Sequence, residues 1–117
     1  MAKHLESGKL GEQQATLYLQ QHGYTILAIN WRHRHWEVDI IALNEGVLCF
    51  IEVKTRKNAW YGEASTFVDN KKQQNLIQAA EAYLEKNMHH GDIRFDIVSV
   101  YTEQNQIELI KDAFWSN

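Results

Sequence analysis

Apolar and polar positions alternate along this chain in two helical and five strand-like rhythms. From about Glu6 to His22 there is no proline, and Gly8, Gly11, Glu12, Ala15, Tyr18 and Leu19 fall on one face by three-and-four spacing. This predicts a first helix, which Gly23 stops. Tyr24–Arg32 reads as the first strand, Glu37–Leu43 as the second and Val47–Thr55 as the third, with Asn44-Glu45-Gly46 turning between the last two. Three strands in succession imply an antiparallel meander. Arg56 to Ser65, with Trp60-Tyr61-Gly62, reads as a loop leading to a second helix at about Asp69 to Lys86. Asp69 is its expected N-cap, and Leu76, Ala80, Tyr83 and Leu84 form its apolar face. After the polar Asn87 to Asp92, Ile93–Val100 alternates as a strand, and Ile107–Ile110 is a short last one. A strand that follows a crossover helix commonly runs parallel to a neighbour, so the expected class is α/β with a mixed sheet.

Against this pattern three charges are misplaced. Asp39, Glu52 and Lys54 lie inside the two most strand-like segments, where a charge is costly unless it is paired or holds a metal. Period-two alternation puts Glu52 and Lys54 on one face of the third strand. Asp39 joins them only if the hairpin register allows it. A two-residue loop, Glu45-Gly46, sets Asp39 directly opposite Glu52, whereas a three-residue Asn-Glu-Gly loop turns Asp39 to the other face. A bulge near Asp39 restores the site under either turn. Glu12 is a further misplaced acid, on the helical stripe that carries Ala15 and Leu19; its plainer role is a boundary carboxylate at a helix start. Gly8 and Gly11 on that stripe allow close approach of the helix to whatever it covers.

Two carboxylates suit Mg²⁺ or Mn²⁺, which take hard oxygen ligands and leave positions for water and a phosphate oxygen. Such a metal polarises a phosphodiester and lowers the pKa of bound water. Lys54 is positioned to orient the water and stabilise charge at phosphorus, and the Val53 carbonyl between Glu52 and Lys54 is a further candidate ligand. The plainer alternative is a half-solvated Glu52–Lys54 ion pair worth about 0–1 kcal/mol, because an acid-x-lysine tripeptide is common.

The progression Gly11-Glu12, Glu37-Val38-Asp39-Ile40-Ile41-Ala42, Phe50-Ile51-Glu52-Val53-Lys54-Thr55-Arg56, Gly62, Lys71 and Arg94-Phe95-Asp96-Ile97-Val98 resembles the YraN family, also called uncharacterised protein family 0102, over nearly the whole chain. That family looks like a member of the restriction-endonuclease-like superfamily, with similarity to archaeal Holliday junction resolvases. The resemblance implies a mixed β-sheet flanked by helices and a Mg²⁺-dependent endonuclease acting on DNA, including branched DNA. It assigns Asp39 and Glu52 to the metal, Lys54 to the catalytic lysine of the D-(E)xK motif, and Glu12 to the first-helix acid that completes such sites. Likeness to resolvases also implies a homodimer. The family commonly has a glycine before the acid of the second strand, where this chain has Trp36 before Glu37; that alters a turn more than the site.

Composition bounds these expectations. At 117 residues and 44% hydrophobic the chain is one domain long, residues 1–117, and can bury a core without disulfides. Cys49 lies in an apolar run with no partner cysteine, as in a reducing cytoplasm. No apolar stretch nears the roughly 20 residues that span a bilayer, and the N-terminus lacks a secretory core; a soluble cytoplasmic protein with no membrane partner is expected. A net charge of −3 advertises no uniformly basic surface. Positive residues nonetheless cluster locally, making Arg32, Arg34, Arg56 and Lys71 the candidate nucleic-acid contacts, against the plainer reading of solvated loop charges. His33 and His35, on one side if their segment is extended, and His89-His90 lack the third ligand of a zinc site. Trp60 and Tyr61 suit base stacking or burial, Phe114-Trp115 suits anchoring of the tail, and Asp96 is a polar-face residue or a support for the site. No Walker loop or serine or cysteine nucleophile signature is present. The alternative function is a noncatalytic DNA-binding or protein-interaction module on the same fold; in a third reading the acids form a structural ion network.

Overall fold

The computed structural model describes residues 2–57 and 69–115. The order of elements is α1 (Ala2–Gln21), β1 (Thr25–His33), β2 (Trp36–Asn44), β3 (Val47–Arg56), α2 (Asn70–Lys86), β4 (Ile93–Tyr101) and β5 (Gln106–Phe114). All five strands form one sheet in sequential order. β1–β2–β3 is the expected antiparallel meander, β4 returns parallel to β3 after α2, and β5 closes antiparallel on β4. The fold is therefore a mixed β-sheet flanked by helices, consistent with a restriction-endonuclease-like architecture.

Alternation along the strands gives the sheet two apolar faces, and each takes one helix. Val38, Phe50, Phe95 and Ile97 pack with Leu76, Ala79 and Ala80 of α2. Ile40, Ala42, Cys49, Ile51, Val98 and Val100 pack with Ala15 and Leu19 of α1. Tyr83 and Leu84 lie against the α2 cluster, as their helical phase predicts. Gly23, at φ +87, takes the left-handed position that ends α1. Asp69 caps α2 by accepting from the Lys72 backbone N at 2.9 Å.

Gly11 fixes the depth of α1. A methyl placed there would lie 2.1 Å from Thr55 Oγ1, so only glycine lets the helix approach β3 this closely.

Three details depart from the sequence reading. β5 runs to Phe114, well past Ile110, because Phe114 stacks on Phe95 with centroids 4.9 Å apart. Trp115 does not anchor the tail: it is 70% exposed, and its Nε1 donates to Asp112. His33 and His35 do not share a side, since Arg34-His35 is a tight turn between β1 and β2 rather than extended chain. Trp60, Tyr61 and Gly62 lie outside the described residues. Among the described residues no helix is long and apolar enough to cross a membrane.

Candidate functional site

The register of β2 against β3 decides whether the misplaced charges meet. Asn44 pairs with Val47 across a two-residue turn, and Glu45 and Gly46 both sit at positive φ, the geometry of a tight hairpin turn that matches strand twist. The regular ladder ends at Ile40–Ile51, with Asp39 and Glu52 next in line. Here the strands become irregular. Val38 and Ile41, three residues apart, belong to the same core cluster, which strict alternation does not permit, and Asn30 across from this point has φ +53. Asp39 uses the irregularity to turn onto β3, where its Oδ2 accepts from the Val53 backbone N at 2.8 Å. A two-residue turn and a local irregularity thus act together, while the register shift between β1 and β2 lies further along, between Ile26 and Ala28.

Glu52 is 5% exposed and faces α2, whose Lys72 donates from Nζ to Glu52 Oε2 at 2.5 Å. Thr55 contacts α1 at Gly11, so Lys54 must face α2, as Glu52 does. Lys54 is half-buried. Burial, aided by the charges of Arg56 and Lys72, holds its ammonium below the ordinary lysine range. Burial alone would also lower Lys72, but the hydrogen bond and charge of Glu52 more than reverse this and leave it raised.

Asp39 carries the largest perturbation at this site. Burial first, then a shared hydrogen bond with Glu52 and the charges of Glu52 and Glu12, push its carboxyl up to about 8; the Val53 N–H partly offsets the rise. Asp39, Glu52 and Val53 line a polar cavity of about 370 Å³ with Lys72 and Asn75 of α2 and His35 and Glu37 of the first hairpin. Glu12 stands at its back: it accepts from Asn30 Nδ2 at 3.2 Å and lines a separate cavity of about 510 Å³ between α1 and β1. Asp39 and Glu52 are therefore brought together, and Glu12 acts on them through its charge. Among the described residues no three His, Cys, Asp or Glu side chains come close enough to hold a metal by themselves.

The candidate nucleic-acid contacts divide. Arg32 pairs with Glu37 at 3.2 Å on the exposed hairpin, and Arg34 is exposed in its turn. Arg56 ends the strand row that begins with Glu52 and Lys54, and its Nε is buried without a hydrogen-bond partner. Lys71 points outward, while its neighbour Lys72 reaches the cavity. Lys72 is the residue that sequence reasoning missed. Its signal is spacing, since it lies four residues before Leu76 on the apolar stripe of α2 and so at the end of the face that meets β3.

Asp96 belongs to a different constellation. It is fully buried on the α1 side, and Arg94 grips it in fork geometry at 2.8 and 3.0 Å. Tyr24 Oη donates to it at 3.1 Å, as does the Asp112 backbone N at 3.0 Å, where Asp112 makes an irregularity in β5 at φ +55. Arg94 also donates to Tyr24 Oη and to Asn44. Burial and the charge of Asp96 raise the Tyr24 phenol well above its ordinary value and push the Cys49 thiol up to about 12, so Cys49 is an inert core thiol.

The sequence matches the model of the uncharacterised protein family UPF0102 over residues 11–100. It is 42% identical to UPF0102 proteins of Bacteroides thetaiotaomicron and Flavobacterium psychrophilum, covering 98% of this chain and 97% and 98% of theirs. A UPF0102 protein of Chlorobium chlorochromatii is 43% identical, over 94% of this chain and 92% of its own. Family match and full-length relatives agree, and the chain belongs to the UPF0102 family.

Proposed function

We propose that this protein is a metal-dependent endonuclease that hydrolyses DNA phosphodiester bonds, with branched DNA among its substrates. The observation that carries this reading is the pair Asp39 and Glu52, held side by side in a polar cavity that Lys72 of α2 also lines. Burial first, and then the neighbouring Glu52, raise the Asp39 carboxyl, so a cation that neutralises and coordinates the pair relieves both costs. Mg²⁺ or Mn²⁺ fits the hard oxygen donors of Asp39, Glu52 and the Val53 carbonyl. When bound, such an ion polarises the phosphodiester and acidifies water. The protein's own groups do the rest. Lys54, with its lowered pKa, sits on the face of Glu52 and stabilises charge that develops at phosphorus while exchanging protons with the attacking water. The Val53 N–H holds Asp39 in one rotamer, and Glu12 adds negative potential behind it.

Purified protein incubated with linear, flapped and four-way DNA in Mg²⁺ or Mn²⁺ should cleave at least one of them, and Asp39→Ala should abolish cleavage while leaving the circular dichroism spectrum unchanged. Absence of cleavage across salt and pH refutes the assignment. A noncatalytic DNA- or protein-binding module is favoured by one observation, the cation that Glu52 already has in Lys72. Calorimetric titration with Mn²⁺ separates the two: the nuclease binds the ion and Asp39→Ala does not, whereas the binding module takes up none.

A further inference from the structure

The hairpin that joins β1 to β2 carries an unusual load. Two-residue hairpin turns favour Gly, Asn and Asp, which tolerate positive φ, yet here Arg34 occupies that conformation at φ +58 and is followed by His35. A local choice that disfavours the turn calls for another reason. The rings supply one. Phe50 in the core meets Tyr83 edge-on, Tyr83 meets Trp31 edge-on, and Trp31, His33 and Trp36 then stack with interplanar angles of 16° and 20°. His35 completes the row, 4.9 Å from Trp36, and it is the exposed member that lines the acid cavity. An aromatic row anchored in the core therefore ends in an accessible ring beside Asp39 and Glu52.

We propose that His35, backed by Trp36, is a nucleobase-stacking platform that selects DNA carrying an unpaired nucleotide next to the scissile phosphate. It rests on the nuclease reading for the choice of ligand. A base inside a duplex has both faces covered by its neighbours, so a protein ring reaches a free face only at a flap, gap, frayed end or extruded nucleotide. On the His33 side of the hairpin Glu81 and Glu85 are accompanied by Arg34 and by Lys86, which bonds His33. The approach is set by His35 itself, which lines the cavity that holds Asp39, Glu52 and Lys72. A rigid tip anchored through Trp36 loses little conformational entropy on binding, which favours stacking over a flexible contact.

The test is the binding of the full-length protein to fluorescently labelled DNA, followed by anisotropy in EDTA, which separates recognition from cleavage. A duplex with a single-stranded tail should bind more tightly than the same duplex with blunt ends. His35→Ala should remove that preference, weakening tailed DNA about 5-fold or more while leaving blunt DNA unchanged, and His35→Tyr should restore it. Trp36→Leu should act in the same direction. Equal binding of tailed and blunt DNA by the wild type, or a tail preference untouched by His35→Ala, overturns the proposal. Cleavage by the same proteins in Mg²⁺ is read separately: failure to cleave with the tail preference intact refutes the nuclease and leaves the platform standing. Cleavage that ignores both the tail and His35 refutes the platform alone.

Discussion

The two faces of the sheet each bury acid, and they treat it in opposite ways. On the α1 side every oxygen of Asp96 is occupied: Arg94 matches its charge, and Tyr24 and the Asp112 N–H take the remaining lone pairs. On the α2 side Asp39 and Glu52 face each other, and Lys72, which bonds Glu52, is itself 59% exposed. The first arrangement is what a buried charge needs in order to be structural. The second leaves a deficit that a ligand can fill, and buried acids in one fold are told apart by their partners rather than by their depth. The Asp96 cluster also pins the irregularity of β5, and the Asp39 pair exists because of an irregularity in β1 and β2. Both acids thus sit where a strand departs from regular geometry, Asp96 at a register shift of β4 against β5 and Asp39 where the β2–β3 ladder ends.

Removing each side's key group should produce different losses. Asp96→Ala leaves Arg94 largely buried and without its partner, so unfolding in urea should show a loss of about 3–5 kcal/mol. A smaller loss, under about 1 kcal/mol, would break the contrast between the faces. Lys54→Ala should lower cleavage of DNA about 100-fold, equivalent to about 2.7 kcal/mol of barrier, with a melting temperature within a few degrees of wild type. Gly11→Ala forces α1 away from Thr55, and denaturation should register a loss of about 1–3 kcal/mol. Thr55→Ala in the same chain should recover part of it, which asks how closely Glu12 must stand behind Asp39.

A further effect has the opposite sign. The Asp39 carboxyl titrates at about 8 in the fold against an ordinary value of 3.8, so the folded state holds a proton that the unfolded chain releases. Metal-free stability should therefore be greatest below about pH 4 with respect to this group, and fall as pH rises toward 8. Asp39→Asn keeps an acceptor for Val53 and removes the penalty. Its melting temperature should match wild type near pH 4 and exceed it by a few degrees at pH 8 and above. Equal melting temperatures throughout would place Asp39 among satisfied acids like Asp96.

Much of this was legible in the chain. The periods of α2, β3 and β4, the Asp69 cap, the Gly23 stop and the parallel return after α2 all follow from local pattern. The acid pair was legible as charge in the wrong place, because Glu52 interrupts a run whose neighbours are buried. Its geometry was not, since Asn-Glu-Gly admits two loop lengths of opposite consequence and the departure of Asn30 from extended geometry leaves no mark in composition. The partners of Asp96 escaped for another reason. Arg94 is two residues away on the same strand face, but Tyr24 is 72 residues distant and reaches Asp96 only through the sheet. Lys72 was hidden beside Lys71, although helical phase separates them.

Those separations carry a consequence for how the chain comes together. Within the acid cavity the bonded partners are near in sequence, 14 residues for Asp39 and Val53 and 20 for Glu52 and Lys72. Closing a segment of 72 residues costs about 1.5 kcal/mol more in chain entropy than closing one of 14. On a chain made from its N-terminus, the opposed carboxylates are assembled once α2 has emerged, while Arg94 and the β5 amide that secure the other face have yet to be synthesised. The acid cavity is thus drawn from chain already made, whereas the Asp96 cluster is completed only by the last two strands.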